Sequence, residues 1–307
     1  MNQPICFIIN AGALGDCVAT LPAIKYAIDN VWTDGKYHIV VKPYFRPLFF
    51  FVPDDKISSI DDPVNFTEPY SFVKLNDFQM TDLGPAALPG VPAPMKLNLV
   101  DYASIKLLGQ VLEDKAYPQL PTDHIDITKF NLPKNYACIV SNGIHKARSI
   151  PDAELDKIAL GLIERGLTPV YIGKTEREIE CAGAPNTYGD KTKIIAGAID
   201  LIDKTTLMEA TAVMANAKYI LGTDAGLIHL AGMTKTQIIC GYTTLNPNIR
   251  LPNRETIAVV PESGCKFCQS SWYISNHDFN NCYTQTYECA KKMTANKFKK
   301  EITKIGE

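Results

Sequence analysis

The sequence contains no run of about 18 consecutive apolar residues, the length that a membrane-spanning helix requires, so no such helix is expected. It also lacks an excess of either charge, because 31 Lys and Arg residues against 33 Asp and Glu residues give a formal net charge of −2. This balance provides no overall attraction to nucleic acid, although a local basic patch could still exist. The first ten residues, MNQPICFIIN, contain no Lys or Arg ahead of their apolar run, so no signal peptide is expected. These absences favour a cytoplasmic protein, either free or peripheral to a membrane.

The Gly-x-Gly-x-x-Gly fingerprint of dinucleotide-binding folds is also missing from the first glycine turn, AGALGD at residues 11–16. That turn follows an apolar strand, ICFIIN, and precedes a run with helical spacing of apolar residues. A further apolar strand, YHIVV at residues 37–41, completes a strand–helix–strand unit, which predicts a parallel sheet. The missing fingerprint counts against an NAD(P)-dependent oxidoreductase.

Two series of alternating strands and helices flank a proline-rich stretch at residues 117–135. We therefore predict an α/β protein with an N-terminal Rossmann-like domain at residues 1–130 and a C-terminal one at 131–262. A Cys-rich segment with a C-terminal helix would occupy residues 263–307. Ligands of open α/β sheets bind beyond the carboxyl ends of the strands, so the turns that follow strands are the places to look for chemistry.

The first such turn offers one titratable side chain, Asp16, at the start of the following helix. Two interpretations remain open. Asp16 could cap the helix, as Asp commonly does. Alternatively, its carboxylate lies at the edge of the sheet and acts as a general base. The other residues of this candidate loop are Gly12, Ala13, Leu14 and Gly15.

The second turn lies in YILGTDAGLIHLAG at residues 219–232, again between a strand and a helix. Its glycines permit a tight bend, and the N–H groups at the start of the helix favour an anion. Asp224 is an unfavourable neighbour for an anion, so we expect it to cap the helix or to bond within the turn. His229 is either a buried, hydrogen-bonded residue or part of the site. The candidates in this turn are Thr223, Asp224, Ala225, Gly226, Leu227 and His229.

A third candidate is the basic cluster in SNGIHKARSIP, which directly follows the first strand of the second series. Lys146 and Arg148 are either a solvated charge cluster or contacts for a phosphate group. Their position after a strand favours phosphate, and Arg can pair with two phosphate oxygens at once.

Four of the nine cysteines fall within 25 residues near the C-terminus. They are Cys265, Cys268, Cys282 and Cys289. Four clustered thiols in a chain without an export signal suit a tetrahedral Zn or Fe site, while reduced thiols and disulfides are the alternatives. Because four protein ligands leave no open position, such a metal would be structural and not catalytic.

Taken in order, these segments resemble glycosyltransferase family 9, the heptosyltransferase-like group. GALGDCVATLPAI is similar to the family's N-terminal Gly-Asp and Pro segment, and KARSIP to its Lys/Arg-x-Trp-Pro segment. GTDAGLIHLAG is similar to its Asp-Ser-Gly-x-x-His segment, and the cysteine-bearing end resembles that of many members.

The resemblance implies a GT-B-like fold, in which two Rossmann-type domains face each other across a cleft. It implies that the second domain binds a nucleotide-sugar donor, with ADP-sugars favoured, and the first binds the acceptor. Asp16 would be the catalytic base, and the turn at residues 223–227 would hold the donor phosphates. The nucleoside would lie near residues 173–178, which include Lys174 and Glu176. Transfer would proceed with inversion and without a catalytic metal or other required cofactor.

Two positions depart from the family pattern. Ala225 stands where the family has Ser or Thr, and Ile150 replaces its Trp. The donor sugar therefore stays open, as does the acceptor, which could be a glycan, a protein side chain or a modified nucleobase. The alternative function is a non-catalytic nucleotide-sugar-binding protein or assembly subunit. Such a protein would keep the donor turn, residues 223–227, but lack a working base.

Overall fold

The computed structural model describes residues 4–10, 13–62, 71–76, 97–140, 146–175, 194–250, 255–268, 282 and 284–305. Gly12 and Glu176, two of the candidate site residues, lie outside this set. The chain divides into two compact units, Met1–Leu120 and Pro121–Glu307. Among the described helices, none is long and apolar enough to cross a membrane.

The first unit contains a four-stranded parallel sheet in the order β3-β2-β1-β4. Its strands are β1 (Ile5–Asn10), β2 (Tyr37–Val41), β3 (Ile57–Ser59) and β4 (Ser71–Asn76). Two helices, α1 (Leu14–Asn30) and α2 (Leu99–Leu108), pack against each other. The strand–helix–strand unit predicted from the first glycine turn is thus confirmed as β1, α1 and β2.

The second unit contains a six-stranded parallel sheet in the order β10-β9-β8-β5-β6-β7. Its strands are β5 (Tyr136–Val140), β6 (Thr168–Ile172), β7 (Ile199–Asp200), β8 (Tyr219–Thr223), β9 (Gln237–Gly241) and β10 (Ile257–Val259). Its helices are α3 (Asp152–Ile163), α4 (Leu207–Ala215), α5 (Gly226–Ala231), α6 (Pro247–Arg250), α7 (Glu288–Lys291) and α8 (Ala295–Ile305). The parallel α/β class predicted from the sequence is confirmed in both units.

The central strands of the second sheet read as continuous apolar runs because they are buried on both faces, as parallel strands usually are. Every residue of β5 is buried, and so are the last four residues of β8. Gly222 of β8 is the register partner of Val140 of β5. A Cβ atom at position 222 would lie 2.8 Å from the Cβ atom of Val140 and 3.0 Å from its carbonyl oxygen. Glycine therefore allows the two strands to approach each other closely at the edge where the candidate turns begin.

Helix α8 is an integral part of the second unit. Its Phe298 and Ile302 are buried in the same apolar cluster as strand residues of the sheet. At its start, the backbone N–H of Ala295 donates to the Glu154 carboxylate of α3 over 2.7 Å. The C-terminal end of the chain thus packs on α3 and on strands β9 and β10.

Candidate functional site

Three segments that follow neighbouring strands meet at one edge of the second sheet. The short turn at residues 146–148 comes after β5, the turn at 223–227 comes directly after β8, and the loop at 242–250 comes after β9. Because β5, β8 and β9 are adjacent and parallel, their carboxyl ends lie side by side. This is the edge at which open α/β sheets bind ligands.

Asp224 is the centre of this arrangement. Its side chain is only 5% exposed and accepts a hydrogen bond from Nη2 of Arg148 over 2.8 Å. The same nitrogen donates to the backbone carbonyl oxygen of Asp224. On the other side, Nε2 of His229 lies 3.5 Å from Oδ1 of Asp224. The backbone N–H of Asp224 donates to the carbonyl oxygen of Gly241 at the end of β9, over 3.3 Å.

These contacts determine the charge state of Asp224. Burial alone would raise the pKa of its carboxyl, because the charged form loses its hydration. The positive charge of Arg148, the hydrogen bond from His229 and the charge of Arg250 outweigh burial and hold the pKa well below its ordinary value. Asp224 is therefore a carboxylate at neutral pH, and it compensates the charge of Arg148.

The helix after this turn is capped by Ala225 and not by Asp224. Ala225 has extended backbone angles, φ −138° and ψ 162°, and its carbonyl oxygen accepts from the N–H groups of Ile228 and His229. Gly226 and Leu227 follow in the first turn of α5, half-buried. Of the two sequence-based expectations for Asp224, the cap is wrong. Its carboxylate contacts Arg148 and His229, which lie outside the turn at residues 223–227.

Two buried donor atoms beside Asp224 have no hydrogen-bond partner among the residues that the structure describes. They are Oγ1 of Thr223, whose residue is fully buried, and Nε of Arg148. Buried polar atoms are nearly always hydrogen-bonded in native proteins, so donors of this kind mark a place where a ligand oxygen could be accommodated.

The other basic candidates lie at the same edge. Lys146 is exposed, and its Nζ lies 5.4 Å from the centre of the Tyr287 ring. Lys174 is half-buried and follows β6, the neighbour of β5. Next to it, the backbone N–H and the hydroxyl of Thr175 both donate to the carboxylate of Asp203, over 2.8 and 2.7 Å.

Asp16 lies in the first unit, at the carboxyl end of β1. It is the third residue of α1 and half-buried, while Ala13 occupies the N-cap position without a side-chain cap. Asp16 is therefore not the N-cap residue of α1. Leu14 and Gly15 complete the first turn of the helix ahead of the carboxylate.

None of the four clustered cysteines forms a disulfide in this structure. Cys282 is buried, and its sulfur accepts from the backbone N–H of Tyr287 and contacts the Thr284 hydroxyl, both at 3.3 Å. Burial would raise the pKa of the Cys282 thiol, but hydrogen bonds from Thr284 and nearby N–H groups hold it below its ordinary value. Burial also raises the pKa of Cys289 to about 11, and the negative charges of the other three sulfurs add to that effect.

Within the part of the chain that is described, no three His, Cys, Asp or Glu side chains are arranged as ligands of a metal ion. The sulfurs of Cys265, Cys268 and Cys282 are near enough to Cys289 to raise its pKa, but the four described sulfurs do not form a coordination shell.

The cysteine segment is attached to the strand-following turns. The backbone N–H of Phe267, between the first two cysteines, donates to the carbonyl oxygen of Thr243 over 2.7 Å. The Thr243 hydroxyl in turn donates to the carbonyl oxygen of Ala147, also over 2.7 Å. With the Lys146–Tyr287 contact, these bonds connect the cysteine segment to the turn that carries Arg148.

Sequence reasoning missed Arg250, whose charge acts on Asp224, and Tyr287, which links Cys282 to Lys146. Arg250 ends α6, in a polar loop without helical or strand periodicity. Its position after a strand next to β8 was the one available signal.

Comparison with known proteins gives a family and a fold. Residues 104–272 match the family model described as glycosyltransferase family 9 (heptosyltransferase). No curated protein matches the chain significantly.

Solved structures resemble the whole chain. The iron-containing dodecameric glycosyltransferase TibC of enterotoxigenic E. coli H10407 is 17% identical with a TM-score of 0.74, covering 99% of this chain and 76% of that one. A family 9 glycosyltransferase of Veillonella parvula is 13% identical with a TM-score of 0.66, covering 99% and 98%. E. coli heptosyltransferase WaaC with ADP-2-deoxy-2-fluoro heptose is 16% identical with a TM-score of 0.56, covering 98% and 99%. At sequence identities this low, the structural similarity establishes only the fold. It confirms the predicted GT-B-like α/β class.

The depressed pKa of Asp224 has a consequence for stability. The unfolded chain binds a proton at Asp224 near the ordinary pKa of 3.8, whereas the folded protein does so only at lower pH. The unfolded state therefore gains protons first, and the free energy of unfolding falls as the pH drops below about 4. We expect Asp224→Asn to be less stable than the wild type at pH 7 and to lose less further stability on acidification.

Chemical denaturation between pH 7 and pH 3 measures both effects. Asp123→Asn, at an exposed position of the same unit, is the matched control and should follow the wild type. Equal pH dependence in Asp224→Asn and the wild type would contradict the assignment of a compensated, buried carboxylate.

Proposed function

The chain belongs to glycosyltransferase family 9, and from this membership we propose that it transfers a sugar from a nucleoside diphosphate to an acceptor hydroxyl. The observation that carries the proposal is the turn at residues 223–227, which is fixed at the carboxyl edge of the second sheet by the buried Asp224–Arg148 pair. In this proposal, the donor diphosphate binds at that turn. The donor-binding residues are Lys146, Arg148, Lys174, Glu176, Thr223, Asp224, Ala225, Gly226, Leu227 and His229.

An ADP-linked sugar is the proposed donor. The TibC structure with ADP-D-β-D-heptose and the WaaC structure with its fluorinated ADP-heptose support this choice by analogy. Ala225 carries no hydroxyl, so the contact at that position comes from the backbone and not from a side chain. The acceptor is a hydroxyl of a glycan, a protein side chain or a modified nucleobase.

Asp16 is the proposed general base. Its carboxylate takes the proton of the acceptor hydroxyl as the oxygen attacks the anomeric carbon, on the face opposite to the departing nucleoside diphosphate. The new glycosidic bond forms as the bond to the leaving phosphate breaks, so the configuration inverts. The residues Gly12, Ala13, Leu14 and Gly15 form the proposed acceptor-side loop. No metal takes part in the transfer.

The donor turn would stabilise the negative charge on the departing nucleoside diphosphate. A developing negative charge on the diphosphate is best met by donors that are already in place, because they need not reorganise during the reaction. The unpartnered Oγ1 of Thr223 and Nε of Arg148 fit this requirement. Arg148 also fixes the backbone of the turn through its bond to the Asp224 carbonyl.

A structural Zn or Fe ion held by the four clustered cysteines is a separate proposal. The chemistry of the donor set fits, since four thiols supply the ligands of a tetrahedral site. Their arrangement among the described residues does not yet form that site, so binding would have to draw the sulfurs together. The hydrogen bonds to Cys282 favour its thiolate, and a bound cation would relieve the repulsion that Cys289 experiences from the other sulfurs. The metal would hold the segment that bonds to Thr243 and contacts Lys146, so it would support the donor turn from outside.

A donor screen tests the proposed function. We expect an ADP-sugar to raise the unfolding temperature of the full chain, because a ligand at 100 times its Kd adds about 2.7 kcal/mol of stability. Differential scanning fluorimetry against ADP-, GDP-, UDP- and CMP-sugars identifies the nucleotide, and mass spectrometry of sugar release or transfer detects turnover. Binding without turnover on any acceptor class would favour the non-catalytic alternative, and no binding at all would contradict the proposal.

Replacing Asp16 tests the general base. Asp16→Asn keeps the shape of the side chain but removes its basicity, so kcat should fall by about 10²- to 10⁴-fold. Donor affinity and the unfolding temperature should stay at wild-type values. Asp29→Asn, an exposed position near the other end of the same helix, is the control. Near-normal turnover in the Asp16 variant would exclude this role.

The metal proposal predicts bound Zn or Fe in a ratio near one per chain. Cys282→Ser should abolish that metal and lower the unfolding temperature, because the segment loses its cross-link. Metal content is measured by inductively coupled plasma mass spectrometry after purification and after reconstitution. Cys138→Ala removes a buried thiol of β5 and should leave the metal content unchanged. Wild-type protein that takes up neither metal would refute the site.

A further inference from the structure

The Asp224–Arg148 ion pair does not by itself supply the net positive charge that binding of a diphosphate requires. A nucleoside diphosphate brings negative charge to the turn, yet the positive charge of Arg148 is already compensated by Asp224 at 2.8 Å. A buried pair of this kind attracts a further anion only weakly, since its two charges largely cancel. Lys146 and Lys174 are proposed contacts at this edge, and a further cation close to Asp224 would strengthen the net positive field at the turn.

Arg250 is placed to be that cation. It ends α6, in the loop that follows β9, and β9 pairs with β8 so that Gly241 lies opposite Thr223. The hydroxyl of buried Tyr242 approaches the carbonyl oxygen of Arg250 at 3.5 Å, so the loop folds back over the end of its own strand. The carboxylate of Asp224, bonded to Gly241 through its N–H, experiences the charge of Arg250.

The hydrogen-bonding state of Arg250 points to a ligand. Its Nε is buried and has no hydrogen-bond partner among the described residues. The same is true of Nε of Arg148 and Oγ1 of Thr223. Leaving a buried donor unpaired costs free energy, and three such donors around one strand edge form an unusual concentration. The two guanidinium nitrogens can only donate, and the Thr223 hydroxyl can donate as well as accept. An anion with several oxygens would therefore satisfy all three.

We infer that Arg250 is a binding residue for the diphosphate of the donor. It adds positive charge to that of Lys146 and Lys174, while Arg148 offers its Nε and positions the turn. The inference rests on the proposed function, since it names a further residue of the same donor site. Pro247 and Ile249, both buried, anchor the short helix that presents Arg250 to the strand edge.

Calorimetric titration of the full chain with ADP and with adenosine tests this role. Arg250→Gln should weaken ADP binding by about 10- to 100-fold, as expected for the loss of one charge-assisted hydrogen bond. Adenosine affinity should not change, because adenosine has no phosphate. Arg250→Lys should recover part of the loss, since Lys keeps the charge but not the planar donor array.

The salt dependence of binding provides a second readout. Wild-type affinity for ADP should decrease with ionic strength more steeply than that of Arg250→Gln, because the variant lacks one of the attracting charges. Arg165→Gln is the matched control, since it removes an exposed arginine that bonds to Thr303 of α8, and it should bind both probes as the wild type does.

Equal weakening of ADP and adenosine by Arg250→Gln would show a structural role and overturn the inference, as would unchanged ADP affinity. If the wild type and Arg250→Gln bind ADP equally well, the role of Arg250 is refuted while the proposed ADP-sugar donor stands. Wild-type protein that binds neither ADP nor adenosine contradicts the proposed ADP-sugar donor, and the assignment of Arg250 falls with it.

Discussion

The turn at residues 223–227, our proposed donor turn, depends on one interaction, the buried pair of Asp224 and Arg148. A carboxylate removed from water is costly unless a cation and hydrogen bonds compensate it. Here one guanidinium nitrogen bonds to both the carboxylate and the backbone carbonyl of the same residue. The side chain and the main chain of the turn are thereby fixed together, and His229 supports the carboxylate from the opposite side.

The sheet makes this pair possible. Arg148 and Asp224 are 76 residues apart in sequence but follow adjacent strands. Gly222 lets β8 approach Val140 of β5, where a side chain would collide with it. The two charges of the ion pair largely cancel each other. In our proposal, the hydrogen-bond donors that recognise the anionic substrate are therefore the Thr223 hydroxyl, Nε of Arg148 and Arg250.

Much of the fold could be predicted because buried parallel strands are continuous apolar runs that end in glycine turns. ICFIIN and YILGT, for example, are β1 and β8 in the structure. Local chemistry also led us to expect that the Asp224 carboxylate bonds to the protein, because a carboxylate is a poor phosphate ligand. Its partner Arg148 could not be predicted from the sequence, because the pairing depends on strand order, which no local pattern encodes.

Other features had no usable signal in the sequence. Ala225 and Ala13 occupy N-cap positions without side-chain caps, although alanine is among the poorest residues there. Arg250 lies in a short helix after β9, and only the packing of that loop brings its charge to Asp224. Tertiary contacts thus determine the features of the site that propensity and periodicity leave open.

A double-mutant cycle on the Asp224–Arg148 pair tests the central claim most directly. The ADP affinities of the wild type, Asp224→Asn, Arg148→Met and the double variant are compared by calorimetry. If the pair acts as one unit that shapes the donor turn, the double variant should bind ADP no worse than the weaker single variant. The coupling free energy would then be about 1–3 kcal/mol, within the range for residues in contact. Losses that simply add, within about 0.5 kcal/mol, would contradict the account.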